Sequence, residues 1–244
     1  MKILFFDIET APMDVKVFGL WNQNIGLNQI VTPTRMLSFA AKWKDGPVDF
    51  HASRNKVQHK RMIQRMHSLL DEADVVVHYY GERFDVPHVN REFVELGLGP
   101  VSPYVQVDLK KVAKQFYLPS YKLQYVSTWL GFDGKTAHSG FNLWVDCLKG
   151  DPEAWAKMEE YNRQDVVLLE QVFDKLRPWI KSLPSVALYM DDPEETSGCP
   201  GCGSQNLIKK GFRVTKLSKY QAYLCKDCTK YSQSGKAIKR VDLR

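Results

Sequence analysis

Two carboxylates sit inside the apolar opening of the chain. In KILFFDIET, four apolar residues, Ile3 to Phe6, run into Asp7 without a turn signal, and Ile8 separates Asp7 from Glu9. Such a run reads as a buried strand over residues 2–8. Residues two apart on a strand point to one face, so Asp7 and Glu9 stand side by side. Two like charges there destabilise a sheet unless a cation intervenes. Asp85 in HYYGERFDVPH and Asp165 in EYNRQDVVLLEQ are again acids inside or beside apolar runs. A lone buried carboxylate is costly. Four that share divalent cations make physical sense, and the fold must then bring three distant segments to one place.

The order of elements is compatible with that demand. Residues 35–43 and 47–52 flank the turn Lys44-Asp45-Gly46 and read as a hairpin. Met62, Ile63, Met66, Leu69 and Leu70 recur at helical spacing in 58–72. Residues 74–79 are rich in β-branched residues and predict a buried strand, with Asp85 capping a helix that starts near Val86-Pro87 and ends before Gly97. A strand at 104–108 leads into a helix over 109–117, and 122–130 forms another. Residues 131–140 are a glycine-containing loop, and a long helix runs from Asp151-Pro152 to about Lys181, where Pro178 bends or ends it. Three strands followed by helix–strand alternation predict an α/β fold: a mixed sheet with helices on its faces. Asp85 closely follows a strand end, where open α/β sheets bind ligands. Tyr161 and Asp165 are i and i+4, neighbours on one helix face.

The chemistry asks for this set. Two hard cations about 3.5–4 Å apart can clamp a phosphate, one lowering the pKa of the attacking water and the other stabilising the leaving oxygen. Carboxylates are natural ligands for Mg²⁺ or Mn²⁺. The acids alone therefore point to a metal-dependent phosphodiesterase. FDIET, the FD of the second motif and YxxxD, in this order, resemble the DEDD (DnaQ-like) 3′–5′ exonucleases of the ribonuclease H-like fold. The resemblance covers roughly residues 1–180. It is closest to the subgroup whose third motif is Tyr-x-x-x-Asp, as in the proofreading domains of DNA polymerases; the other subgroup's His position holds Glu160 here. The resemblance implies that Asp7, Glu9, Asp85 and Asp165 ligate two ions, that Tyr161 positions the water, and that the substrate is a nucleic acid, DNA favoured, entered at a single-stranded 3′ end. A structure-specific endonuclease, an RNA-trimming enzyme and a non-catalytic binding module remain the alternatives. Many relatives carry Asn five residues before the second-motif Asp. Here that residue is Tyr80, which either stacks on a base or marks a changed substrate. His78, His88 and Lys122 lie near these motifs and are assigned no catalytic role. Residues 10–35 carry Phe18 and Trp21, which either contact the terminal nucleotide or pack together.

Four of the five cysteines form two knuckles, Cys199-Pro-Gly-Cys202 and Cys225-Lys-Asp-Cys228, separated by 22 residues. Two Cys-x-x-Cys turns can present four thiolates to one tetrahedral ion. With strands predicted at FRVTK and YQAYLC between them, the segment resembles a zinc ribbon, which implies structural Zn²⁺; two disulfides are the alternative. Cys147 reads as a buried helix residue. Residues 197–244 hold eleven basic and two acidic residues, a net +9, so of the chain's total +6 the other 196 residues carry −3. An acidic body suits cations, and a basic tail with Tyr220, Tyr223 and Tyr231 suits a polyanion. A merely solvated tail is the alternative, and a replication or repair protein is a second candidate partner for the ribbon. The expected organisation is a ribonuclease H-like domain over 1–188, an acidic linker over 189–197 and a ribbon over 198–244. With 44% hydrophobic and 25% charged residues the composition is globular. No apolar run approaches the about 20 residues of a membrane span. No signal-peptide pattern opens the chain, so a cytoplasmic location is the expectation.

Overall fold

Strand β1 (Ile3–Thr10) is the axis on which the first part of the molecule is built. The computed structural model describes residues 1–132, 140–189 and 198–242. β1 pairs antiparallel with β4 (Met36–Trp43), which turns back through Asp45 into β5 (Val48–Ala52). On its other edge β1 pairs in parallel with β6 (Val75–His78), and β6 with β7 (Val105–Asp108). The order β5-β4-β1-β6-β7 is the expected mixed sheet. A short ribbon, β2 (Asp14–Val15) with β3 (Ile30–Thr32), stands apart from it and was not visible in the sequence.

Period-two alternation sorts the side chains of β1. Leu4, Phe6 and Ile8 join Met36, Phe39 and Ala41 in a core against helices α1 (Lys56–Glu72) and α2 (Asp85–Glu95). The apolar stripe of α1 is the one its sequence spacing predicts, Met62, Ile63, Met66, Leu69 and Leu70. Each side chain, fully buried, contributes about 1.5–3 kcal/mol. Asp7 and Glu9 have the opposite parity and face the other layer. There α5 (Asn142–Lys149) and α6 (Pro152–Leu176) supply Leu143, Cys147, Ala154, Trp155 and Met158 to a second cluster with Ala11 and Leu37. Leu37 reaches that layer through a bulge: Glu9 pairs with Ser38 and Thr10 with Met36, leaving Leu37 as the extra residue. Cys147 is buried on a helix, as its sequence context suggests.

Several boundaries differ from the sequence reading. α2 begins at Asp85 rather than after it, with Phe84 as the flanking residue, so Asp85 does not cap the helix. Its carboxylate is drawn instead to the backbone of β1. The helix expected over 109–117 shortens to α3 (Leu109–Ala113), capped by Asp108, and α4 spans Leu123–Trp129. α6 ends at Leu176 in a 3₁₀ turn over Arg177–Trp179, where the proline ring removes a helical donor. Most of the expected 131–140 loop and of the 189–197 linker, namely 133–139 and 190–197, lies outside the described residues.

The chain divides into two compact units, Lys2–Val172 and Phe173–Arg244 with Met1. In the second, β9 (Ser218–Cys225) pairs antiparallel with β8 (Leu207–Val214) on one edge. On its other edge it pairs with β10 (Tyr231–Gln233) and β11 (Lys239–Arg240). The register sets Leu207 opposite Cys225, which brings the end of the first knuckle to the start of the second.

Candidate active site

β1 and α6 deliver the acids. Carboxylate oxygens of Asp7, Glu9 and Asp165 all lie within 4.8 Å of one another, with Asp165 buried and the two strand acids half-buried. One helical turn before Asp165, Asn162 is wholly buried on the same face of α6. Its Nδ2 donates to Asp7 Oδ2 at 2.9 Å and to the Asp7 carbonyl at 3.2 Å, while its Oδ1 accepts from Ser38 Oγ at 3.2 Å. From α5, the Trp144 indole N–H donates to Glu9 Oε2 at 3.0 Å. The Trp144 ring also meets Tyr161 edge-on, with centroids 6.4 Å apart. Asn162 and Trp144 therefore orient two acids and brace the phenol. Sequence reasoning missed both. The spacing of Asn162, three before Asp165, was a usable signal; nothing in the sequence tied Trp144 to Glu9.

Asp85 lies outside the three-acid group but touches its backbone. Its Oδ1 accepts from the N–H of Ile8, the residue between Asp7 and Glu9, at 3.1 Å. Burial pushes its carboxyl up to about 7, and the charge of Asp108 adds to the rise, against the lowering effect of the N–H groups of Ile8 and Asp85 itself. A cation bound beside it would favour its ionised form, the proton leaving to solvent. Three mutually close carboxylates, joined by a fourth that burial holds partly protonated, fit hard divalent ions bound through oxygen. His78 is buried; it accepts from Gly81 N–H at Nδ1 and lies 3.1 Å from Gln106 Oε1 at Nε2. Burial lowers its pKa, which keeps it neutral.

A family model described as the RNase H superfamily matches residues 4–177. The chain belongs to the RNase H superfamily. Membership supports a nuclease. No curated protein sequence matches the chain. Among solved structures it is similar to the family B DNA polymerase from the hyperthermophilic archaeon Pyrobaculum calidifontis, with a TM-score of 0.55 and 18% identity. That match covers 72% of this chain and 24% of the polymerase. The chain thus spans about a quarter of that protein, and the likeness bears on the fold. Among the described residues, no helix of this RNase H-superfamily chain is long and apolar enough to cross a membrane.

The superfamily match stops before the four knuckle cysteines, which form a second potential metal site. Sγ atoms of Cys199, Cys202, Cys225 and Cys228 lie within 4.8 Å of one another, with Cys199–Cys228 at 3.5 Å and Cys202–Cys225 at 3.7 Å. A thiolate tetrahedron with metal–sulfur bonds of about 2.3 Å has edges of roughly 3.8 Å, so the donors fit one ion. None of the five cysteines is in a disulfide. The knuckles are the same turn built twice. Gly203 N–H donates to Cys199 O and Cys199 N–H to Ser204 O; Thr229 N–H donates to Cys225 O and Cys225 N–H to Lys230 O. The turn needs a left-handed residue after the second cysteine, Gly203 at φ +79° and Thr229 at φ +59°. A β-branched residue rarely adopts that conformation, so the second knuckle holds local strain.

Proposed function

We propose that the chain is a metal-dependent 3′–5′ exonuclease that hydrolyses phosphodiester bonds of nucleic acid, DNA favoured, by two-metal chemistry. The observation that carries this reading is the convergence of Asp7, Glu9 and Asp165, drawn from opposite ends of one unit to within 4.8 Å. The DEDD motif resemblance adds Asp85 as the fourth ligand, and its bond to the N–H of Ile8, between Asp7 and Glu9, supports that. Mg²⁺ or Mn²⁺ held there would activate water and stabilise the leaving oxygen. Asp7, Glu9, Asp85 and Asp165 bind, and Asn162 and Trp144 fix the angles at which Asp7 and Glu9 do so. Tyr161, one turn from Asp165 and braced by Trp144, orients the attacking water. The 3′–5′ direction comes from the DEDD motif resemblance.

Residues 1–188 form the nuclease domain, 189–197 the linker and 198–244 a ribbon that the four thiolates build around structural Zn²⁺. Zinc binding contributes roughly 10–16 kcal/mol to the folding of small modules of this kind. The ribbon's net +9 supports a grip on nucleic acid. A replication or repair protein is the other partner it would suit, and the cytosol the compartment its free thiols favour.

The test is a cleavage ladder on 5′-labelled single-stranded DNA and RNA in Mg²⁺, Mn²⁺ or EDTA, beside Asp7→Asn. A metal-dependent ladder that shortens from the 3′ end and vanishes in the variant is expected. Cleavage that persists undiminished in pure Asp7→Asn removes the metal-site assignment. Internal cuts in a circular strand make the enzyme an endonuclease.

A further inference from the structure

The loop after β6 and the helix α3 that follows β7 enclose a basic cleft that the four candidate metal ligands do not explain. It is lined by Tyr80, Arg83, Asp108, Lys110, Lys111 and Lys114 and has a volume of about 220 Å³. That is smaller than the roughly 300–1,000 Å³ of a site for a drug-sized molecule, and it suits a single phosphodiester group. Lys111 is paired with Glu82. Among the described residues, Arg83, Lys110 and Lys114 have no acid at ion-pair distance, and Arg83 and Lys114 are exposed.

The backbone around the cleft is held rigidly. Tyr80 sits at φ +71°, a conformation that costs a non-glycine residue energy and clusters at functional sites. Its N–H donates to Asp108 Oδ1 at 2.9 Å, and the same oxygen accepts from Lys110 N–H at 3.0 Å. One carboxylate thus ties the loop after β6 to the first turn of α3 and spends its own charge on backbone donors. The next residue must be glycine: a Cβ on Gly81 would lie 2.4 Å from the His78 ring. Lys110 Nζ rests 3.9 Å above the centre of the Tyr80 ring, so one face of that ring carries a cation.

We propose that Arg83, Lys110 and Lys114 form a metal-independent phosphate subsite that holds the backbone of the substrate strand away from the bond being cut. The proposal rests on the nuclease reading and extends it to where the strand runs. β6 and β7 are parallel to β1, so their C-terminal ends lie on the edge that carries Asp7 and Glu9. β7 is two strands from β1, roughly 10 Å at about 4.8 Å per strand. Arg83 is also only two residues before Asp85, which the Ile8 N–H ties to β1. A strand whose scissile phosphate sits at the acids would therefore lay a different phosphate in the cleft. The division has a physical reason. Without cations the acid cluster repels phosphate, so grip must come from elsewhere, and three cations spared from ion pairs supply it.

The test reads binding of a 5′-fluorescein-labelled ten-nucleotide single strand by anisotropy, after dialysis into metal-free buffer without chelator so that the ribbon keeps its ion, across a salt series, with the full chain. Arg83→Ala/Lys114→Ala is expected to weaken binding about fivefold or more and to lower the slope of log K against log salt by about 1.4, two phosphate contacts at about 0.7 each. The charge-keeping pair Arg83→Lys/Lys114→Arg should restore the slope. Lys60→Ala/Arg61→Ala on α1, equal in charge removed, should change affinity less than twofold. An unchanged slope in the first pair, or an equal loss in the α1 pair, overturns the subsite. The readout needs no cleavage, so the two readings fail separately. A wild-type protein that binds in this pattern but never cleaves refutes the exonuclease and keeps the subsite; one that does not bind the strand refutes the subsite.

Discussion

Asn162→Ala removes an amide that no solvent reaches and that serves Asp7 twice. The bond to Asp7 Oδ2, at 2.9 Å, is charge-assisted and worth about 1.5–3 kcal/mol. The variant also strands the Ser38 hydroxyl, itself fully buried, at about 1–3 kcal/mol. A loss of about 2.5 kcal/mol is the expected sum at the low end, a sizeable share of the roughly 5–15 kcal/mol that holds a domain together. At about 2–4 °C per kcal/mol for a chain of this size, the melting temperature should fall by roughly 5–10 °C. The functional effect is separate, because Asp7 loses the group that fixes its angle. Partners of this kind typically cost 10–100-fold in metal affinity when removed. Mn²⁺ titration calorimetry at 15 °C, where the variant stays folded, measures it beside a thermal melt. A lowered melting temperature with Mn²⁺ affinity within twofold of wild type would make Asn162 a packing residue and refute the positioning argument. If neither quantity moves, the buried network has no energetic weight.

Trp144→Phe keeps the ring edge on Tyr161 but deletes the donor to Glu9 Oε2; Mn²⁺ affinity should fall several-fold with little loss of stability, and equal affinity would show the indole N–H to be idle. Gly81→Ala should cost at least about 2 kcal/mol in a denaturant melt, since the new methyl collides with a buried ring that has nowhere to move; a neutral result would mean the loop shifts freely. Glu92 is buried, which pushes its carboxyl up, but its bonds to His59 and the Met36 N–H, with the charges of His59 and Arg91, lower it overall. A depressed folded pKa gives stability that is full above the unfolded value near 4.5 and is lost as pH falls below it. Glu92→Gln should therefore flatten the acid limb of a pH–stability curve below about 4.5 while leaving the α1 and α2 helices formed.

The sheet was legible because its strands are short apolar runs between turn signals, and the α1 stripe because five apolar residues keep helical spacing. The acids were legible because charge inside an apolar run is rare. What escaped the sequence is what the third dimension creates. The bulge at Leu37 depends on the pairing of two strands, so no local pattern announces it. Trp144 meets Glu9 only because α5 lies over the end of β1. Asp85 was read as a helix cap from its place before Val86-Pro87. A cap uses its carboxylate on its own helix, whereas this one goes to Ile8, whose N–H lies beyond the three β1 residues that pair with β6. An open donor on a central strand outcompetes a local one, and only the register reveals it.

The two donor sets differ in hardness, and that sets what each keeps. Three or four carboxylates would hold a hard ion such as Mg²⁺ or Mn²⁺ through oxygen and release it readily. Four thiolates hold a soft, tetrahedral ion, and about 10–16 kcal/mol of apparent binding energy corresponds to dissociation constants of roughly 10⁻⁷ to 10⁻¹² M. Exhaustive dialysis into metal-free buffer without chelator should therefore abolish nuclease activity while leaving about one zinc per chain by elemental analysis. Mg²⁺ or Mn²⁺ alone should then restore the activity. A thiol-directed mercurial added afterwards should release that zinc and unfold β8 to β11, because a module of this size buries too little apolar surface to stand without its ion. Recovery that requires zinc would move the catalytic metal away from hard-ion chemistry. A dialysed chain without zinc that keeps its C-terminal strands would mean that the four cysteines do not hold the fold.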